Sequence, residues 1–227
     1  MLNISMNNMA LMENFVNGIL IGVEGIDGSG KTVLAQALAS ALTQYGCQSI
    51  LTKEPGGTKF GLQLRQILQY REEVGQINAK AEYLLFAADR AQHFTEVVLP
   101  NLQLGKIVIA DRTGDSSVVY QGYGRGLDIA MIKQINGWAM CGMRPDLVIY
   151  LKIDDVVAQK RVSLRAEKLT AFEQAGTEFV QRLISGFDQL YSEQEGVLTL
   201  NGTLPTGELV AAAVRSILPL VMAKGLI

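Results

Sequence analysis

Short apolar runs, mostly without alternation, recur at 19–24, 49–53, 106–110, 147–151 and 197–200, and each predicts a β-strand. Strands that read apolar on both sides belong to a sheet covered on both faces. Between them, apolar residues repeat with the helical period near 31–45, 59–71, 79–104, 116–141, 154–168, 177–194 and 206–222. In the first of these, Leu34, Ala37, Leu38, Ala41 and Leu42 share one face. Pro100 is expected to kink or end the third helix and Gly105 to stop it. This alternation of strand and helix predicts an α/β fold in three layers: a five-stranded parallel sheet with helices on both faces.

Length and composition change this picture little. The 227 residues, 48% of them hydrophobic, suit one domain with a full core over 18–227. Residues 1–17, rich in Asn and Met and without a basic leader, are expected to form a flexible N-terminal extension rather than a signal peptide. No apolar run reads as long enough to span a bilayer. A net charge of −2 gives no general attraction to nucleic acid or anionic membranes, so any anion site must be local. Cys47 and Cys141 fit neither a disulfide framework nor a zinc spacing, and a reducing cytoplasm is the expected home.

Candidate chemistry collects at the expected strand ends, where ligands bind in such sheets. After the first strand comes Gly25-Ile26-Asp27-Gly28-Ser29-Gly30-Lys31-Thr32, a phosphate-loop pattern in the required strand, loop, helix order. Its glycines let the chain curl so that backbone N–H groups face phosphate oxygens, helped by the positive end of the following helix. Lys31 would reach the β- and γ-phosphates and Thr32 would hold Mg²⁺. After the second strand comes the rigid turn Glu54-Pro55-Gly56-Gly57-Thr58. After the third comes Asp111-Arg112, which can supply a carboxylate for Mg²⁺, directly or through water, and a guanidinium fork for phosphate. Extended geometry would send these two side chains to opposite faces. Asp89-Arg90 puts charge beside the apolar positions Leu85 and Phe86. In Tyr120-Gln121-Gly122 an aromatic can stack on a base and an amide can read its edge, although a plain loop would look similar. Arg161, Arg165 and Lys168 could close over phosphates as a lid near 161–173. The only histidine, His93, reads as a packing or surface residue, and Trp138, Met140 and Met143 as core or a subunit contact.

Taken in order, the phosphate loop, Glu54-Pro55-Gly56-Gly57-Thr58, Asp89-Arg90, Asp111-Arg112, Ser116 through Gly122 and Arg144-Pro145-Asp146-Leu147 resemble the bacterial thymidylate kinases. The resemblance implies transfer of the γ-phosphoryl of ATP to dTMP, with Mg²⁺ as the metal. It implies that Lys31 and Arg112 clamp phosphates, that Thr32 and Asp111 serve the metal, and that Gly25 to Thr32 with Arg161 and Arg165 hold ATP. It places Asp27 near the deoxyribose 3′-hydroxyl, Arg90 on the thymine edge, Ser116 and Gln121 in the base pocket, and Tyr120 or Phe86 on the ring. Glu54 and Pro55 would shape the acceptor pocket. Members are usually homodimers, with the helix near 79–95 as the expected contact. Two departures stand out: Ala171 occupies the usual lid-arginine position, leaving Arg165 or Lys168 as substitutes, and Lys152 replaces a common Asp. A deoxynucleoside kinase and a nucleotide-binding regulator with little turnover are the competing functions.

Overall fold

The computed structural model of the chain describes residues 16–70, 74–165, 168–192 and 194–227. Most of the expected N-terminal extension thus lies outside the described residues. The five apolar runs form β1 (Ile19–Glu24), β2 (Ser49–Lys53), β3 (Ile107–Asp111), β4 (Leu147–Lys152) and β5 (Val197–Asn201). They pair in parallel in the order β2-β3-β1-β4-β5. Every residue of the central β1 is buried, which is why its sequence does not alternate.

Burial divides β1 by parity. Ile19, Ile21 and Val23 face a core built with α1 (Lys31–Gln44) and α9 (Thr206–Ala223). Leu20 faces Phe94, Val98 and Leu102 on the other side. Those three belong to one long helical path: α3 (Ala79–His93), a π-helical turn over Phe94–Val98, and α4 (Leu99–Gln103). A third cluster joins Val148 and Tyr150 of β4 to Phe179, Leu183, Phe187 and Tyr191 of α8 (Thr177–Tyr191). On α1 the side chains of Leu34, Leu38 and Leu42 are essentially inaccessible. Each such burial contributes about 1.5–3 kcal/mol before entropy is counted.

Several elements depart from expectation. Pro100 does not end its helix, because the widened turn just before it accommodates the ring; Gly105, at φ 73°, does stop the path. The expected helix over 116–141 is two pieces. α5 (Gly114–Ser117) runs into a π-helical turn over Val118–Gly124, and α6 (Ile129–Ala139) starts anew where Asp128 accepts from the backbone N–H of Ala130 and Met131. Gly126, at φ 77°, makes the break. α2 (Lys59–Gln69) follows the second strand, and α7 (Asp155–Ser163) is shorter than expected. β3 ends one residue later than predicted, so Asp111 is its last strand residue. By length and composition α9 is apolar enough to cross a membrane, contrary to the sequence reading, yet Leu209, Ala213, Ile217 and Val221 lie in the core with α1.

The order of strands reverses direction around β1 and β3, and this opens a crevice beyond their carboxyl ends. The start of β1 is seated by Gly18, whose N–H donates to Leu102 O at 2.8 Å. A Cβ there would lie 2.4 Å from Lys106 O and 2.7 Å from Leu102 Cα, both rigid backbone atoms. Gly18→Ala is therefore expected to destabilise the fold by about 1–3 kcal/mol, a drop of several degrees in thermal midpoint followed by circular dichroism. An unchanged midpoint would contradict this seating of β1.

Candidate active site

The crevice is a cavity of about 600 Å³, a size ordinary for nucleotide-sized ligands. One wall is the turn between β1 and α1. Gly25, Gly28 and Gly30 have φ of 144°, 84° and 97°, and a Cβ at Gly28 would lie 2.7 Å from Ala158 O. Only glycine fits that curl. Gly30 caps α1 without a side-chain bond, so the helix presents its first N–H groups to the cavity uncapped. Asp27, Gly28, Gly30, Lys31 and Thr32 line the cavity; Gly25, Ile26 and Ser29 do not, and support the loop from behind. Lys31 Nζ donates to Ile26 O at 2.7 Å across the loop. Burial, and then Arg112, push its pKa down to about 8.

At the end of β3, Thr32 Oγ1 donates to Asp111 Oδ2 at 2.6 Å. Two hard oxygen donors side by side are of the kind that would suit Mg²⁺. No cluster of three or more acidic, His or Cys side chains that could hold a metal occurs among the described residues. Arg112 does not continue the strand. Its φ is 79°, a left-handed conformation that costs a non-glycine residue about 1–3 kcal/mol, and both Asp111 and Arg112 line the cavity. The guanidinium is held by Gly25 O and Ser116 Oγ, each at 3.0 Å, by Tyr120 Oη at 3.1 Å and by an ion pair with Asp27. Burial would raise the pKa of Asp27, but Arg112 and then Lys31 outweigh it and hold the carboxyl below its usual range.

The third wall is the one expected to take the acceptor. The turn after β2 carries a cis Glu54–Pro55 peptide. Glu54 is buried and takes Arg90 Nε at 2.9 Å on one oxygen and His93 Nδ1 at 2.9 Å on the other. Arg90 is buried too, and donates to Asn136 Oδ1 at 2.8 Å, Ser117 Oγ at 3.1 Å and Thr113 O at 3.3 Å. Phe86, Arg90, Tyr120 and Gln121 line the cavity with Glu54 and Pro55. Gln121 also donates to buried Glu82 at 3.1 Å.

Arg161, Arg165, Lys168 and Phe172, from the segment expected to act as a lid, also line the cavity. Arg161 donates to Gly28 O and Ser29 O, bracing the loop from the side at 3.3 and 3.2 Å. Arg165 pairs with Glu173, and both line the cavity with Lys168. Ala171, at the position where an arginine was expected, instead donates its N–H to Gln69 O at 3.0 Å, tying that stretch to the end of α2. Phe172 meets Phe86 and Tyr120 with ring centroids 5.8 and 5.7 Å apart.

Sequence reasoning missed several residues. Glu24 is the last residue of β1 and interrupts an otherwise apolar run, which was the available signal. It accepts from Thr113 N at 2.6 Å and Ser116 Oγ at 2.6 Å, so it sets Ser116, which in turn meets Arg112. Burial, and then Asp115, push its pKa up to about 7. Arg65 faces the cavity from α2 while donating to Pro55 O at 2.9 Å. Asn136 carried no local signal. The surface option for His93 is wrong: the ring is fully buried, because it fills the space behind Glu54. Met140 is core, whereas Trp138 is 70% exposed, which excludes the core option for that residue.

With burial and then Arg112 pushing the Lys31 pKa down to about 8, a polyphosphate held against it would restore its charge. Above that pH, ATP binding should take up a proton and its Kd should rise about tenfold per pH unit until the bound-state pKa is passed. Calorimetry at pH 9 in buffers of differing ionisation enthalpy checks this. No proton uptake would mean that Lys31 is already charged at that pH without ATP.

The family model described as Thymidylate kinase matches residues 23–213. A thymidylate kinase of Pelotomaculum thermopropionicum is 43% identical over 172 residues, 76% of this chain and 79% of the relative. One of Clavibacter michiganensis subsp. michiganensis is 37% identical over 211 residues, 92% of this chain and 99% of the relative. The crystal structure of thymidylate kinase from Ehrlichia chaffeensis is similar at TM-score 0.71 and 30% identity, covering 88% of this chain and 98% of that one. The matched span contains every residue that lines the cavity. The chain belongs to the thymidylate kinase family.

Proposed function

We propose that the chain transfers the γ-phosphoryl group of ATP to dTMP, giving ADP and dTDP, through the cavity residues described above. The observation that carries this reading is the layout of one cavity: a phosphate loop on one wall, an aromatic slot with a buried arginine on another, and Arg112 between them. Arg90 has five N–H groups, and four are taken by Glu54, Asn136, Ser117 and Thr113. The one left, on Nη1, is the donor for a carbonyl at the thymine edge. Phe86 or Tyr120 stacks on the ring, Ser116 and Gln121 complete the base pocket, and Glu54 and Pro55 shape its floor.

Phosphoryl transfer requires alignment and charge compensation more than a strong base. The acceptor phosphate oxygen of dTMP is already anionic, so it forms the new bond to the γ-phosphorus as the bond to the β,γ-bridging oxygen breaks and ADP leaves. Lys31 holds the triphosphate, and Arg112 lies between donor and acceptor where it compensates the charge of both. Asp27, kept anionic by Arg112, accepts from the 3′-hydroxyl and orients the deoxyribose. Arg161 steadies the loop, and Arg165 is the lid cation that stands in for the arginine absent at Ala171. Thr32 and Asp111 would hold Mg²⁺, which when bound would supply charge neutralisation on the phosphates.

The enzyme acts in the cytoplasm, in keeping with the free thiols Cys47 and Cys141. Leu84 on α3 and Met131 and Trp138 on α6 are large apolar side chains left exposed on two neighbouring helices, and we assign them to a homodimer contact. Nucleic acid and membranes are not partners in this reading, and residues 161–173 act as the lid of a single domain.

A coupled ADP-release assay across nucleoside monophosphates and thymidine tests the reaction and acceptor together. dTMP should be the preferred acceptor and thymidine inert; phosphorylation of thymidine but not dTMP would overturn the reading in favour of a deoxynucleoside kinase. Lys31→Met should lower kcat by about 10²–10³-fold with the thermal midpoint retained. Unchanged turnover would remove Lys31 from the mechanism.

A further inference from the structure

His93 is the only histidine in the chain, does not line the cavity, and has no exposed surface. It cannot touch a nucleotide. Its ring nonetheless has both nitrogens engaged: Nδ1 at 2.9 Å from Glu54 Oε1 and Nε2 at 2.7 Å from Thr52 Oγ1. The Arg90 guanidinium, with Nε 2.9 Å from Glu54 Oε2, pairs with Glu54 as a carboxylate, able only to accept. Nδ1 must therefore carry the proton, and in the neutral ring Nε2 accepts from the Thr52 hydroxyl.

His93 lies one helical turn beyond Arg90 on α3, and the two side chains take one oxygen each of the same carboxylate. Glu54 would swing about its own side chain if held by Arg90 alone. With both oxygens pinned, its plane is fixed, and so is the guanidinium it faces. The backbone of the turn is pressed onto the same ring. A Cβ at Gly57 would lie 2.5 Å from His93 Cδ2 and 2.7 Å from Nε2. Beside it, Asp89 Oδ1 accepts from Gly56 N at 3.0 Å. The turn that walls the acceptor side is thus anchored from behind by residues no ligand reaches.

We propose that His93 is a positioning residue for acceptor binding: its Nδ1–H fixes Glu54, and through Glu54 it aims the remaining Arg90 N–H at the nucleobase. This rests on the acceptor-pocket reading given above. Because Arg90 would hold the base equally in ground and transition states, the effect belongs in the KM for dTMP and not in kcat or the KM for ATP.

The two nitrogens can be separated by substitution. His93→Asn retains an N–H donor near the place of Nδ1, whereas His93→Gln carries its amide toward Thr52 and leaves Glu54 without that donor. His93→Gln is expected to raise the KM for dTMP about tenfold, as for loss of one buried bond to a charged group, with the KM for ATP nearly unchanged. His93→Asn should restore most of the wild-type value. Equal values for both variants and wild type would overturn the proposal, as would parallel rises in both KM values that merely follow a fall in thermal midpoint. Arg90→Ala separates the two levels. If it leaves the KM for dTMP unchanged, the acceptor-pocket reading fails and the proposal with it; if it raises that KM while His93→Gln does not, only the proposal fails. A measurement on the unaltered protein needs no variant to fold. With a single imidazole, its ¹⁵N spectrum should show Nδ1 protonated, with a signal that shifts on addition of dTMP and not of ATP. A ring protonated only at Nε2, or insensitive to dTMP, would overturn it.

Discussion

The arrangement of this site depends on where Arg112 is allowed to point. A residue following a parallel strand would ordinarily alternate to the opposite face from its predecessor. Here Arg112 takes φ 79°, and it lines the same cavity as Asp111. The conformational cost is offset by a guanidinium with acceptors on three separate elements: Gly25 and Asp27 on the phosphate loop, Ser116 on α5 and Tyr120 on the turn after it. That side chain joins the carboxyl end of β3 to the loop that follows β1. The Asp27 partner is partly open to water, so the pair's value lies more in fixed geometry than in net attraction.

A second layer of buried polar groups stands beneath the first. Glu24 sets Ser116 and Thr113, Asn136 joins Arg90 to Gly114 and Tyr83, and Glu82 receives Gln121 and Arg125. Each is buried yet bonded, which is the condition for keeping a polar group in a protein interior. Asp89 Oδ2 is the exception among the described residues: it has no partner, and burial, then Glu54, push the carboxyl up to about 6.

How much of this could be read from the chain follows from how local each signal is. The phosphate loop, Asp111 and Arg112 were legible because their chemistry is contiguous and sits at strand ends that the apolar pattern marks. The five strands were legible for the same reason. Glu24 was hidden inside a strand, since its role appears only when the register sets Val23 opposite Asp111 and brings Thr113 close. Asn136 was hidden because α6 meets α3 only in three dimensions. The widened turns at Phe94–Val98 and Val118–Gly124 left no trace in a periodicity that assumes a single helical pitch. The break before α6 did have a trace in Gly126 and Asp128, which a reading dominated by apolar spacing passed over.

The ammonium group of Lys31 is already engaged within the loop, since it rests on the carbonyl of Ile26. An arriving anion consequently competes with an internal occupant instead of filling a void. A small ion such as orthophosphate trades one contact for another and gains little by the exchange. A longer chain of phosphates displaces the same occupant only once while adding the helix terminus and the neighbouring cations to its side of the balance. The contact of Lys31 with Ile26 O would thus set a threshold that a chain of phosphates passes more readily than a single one.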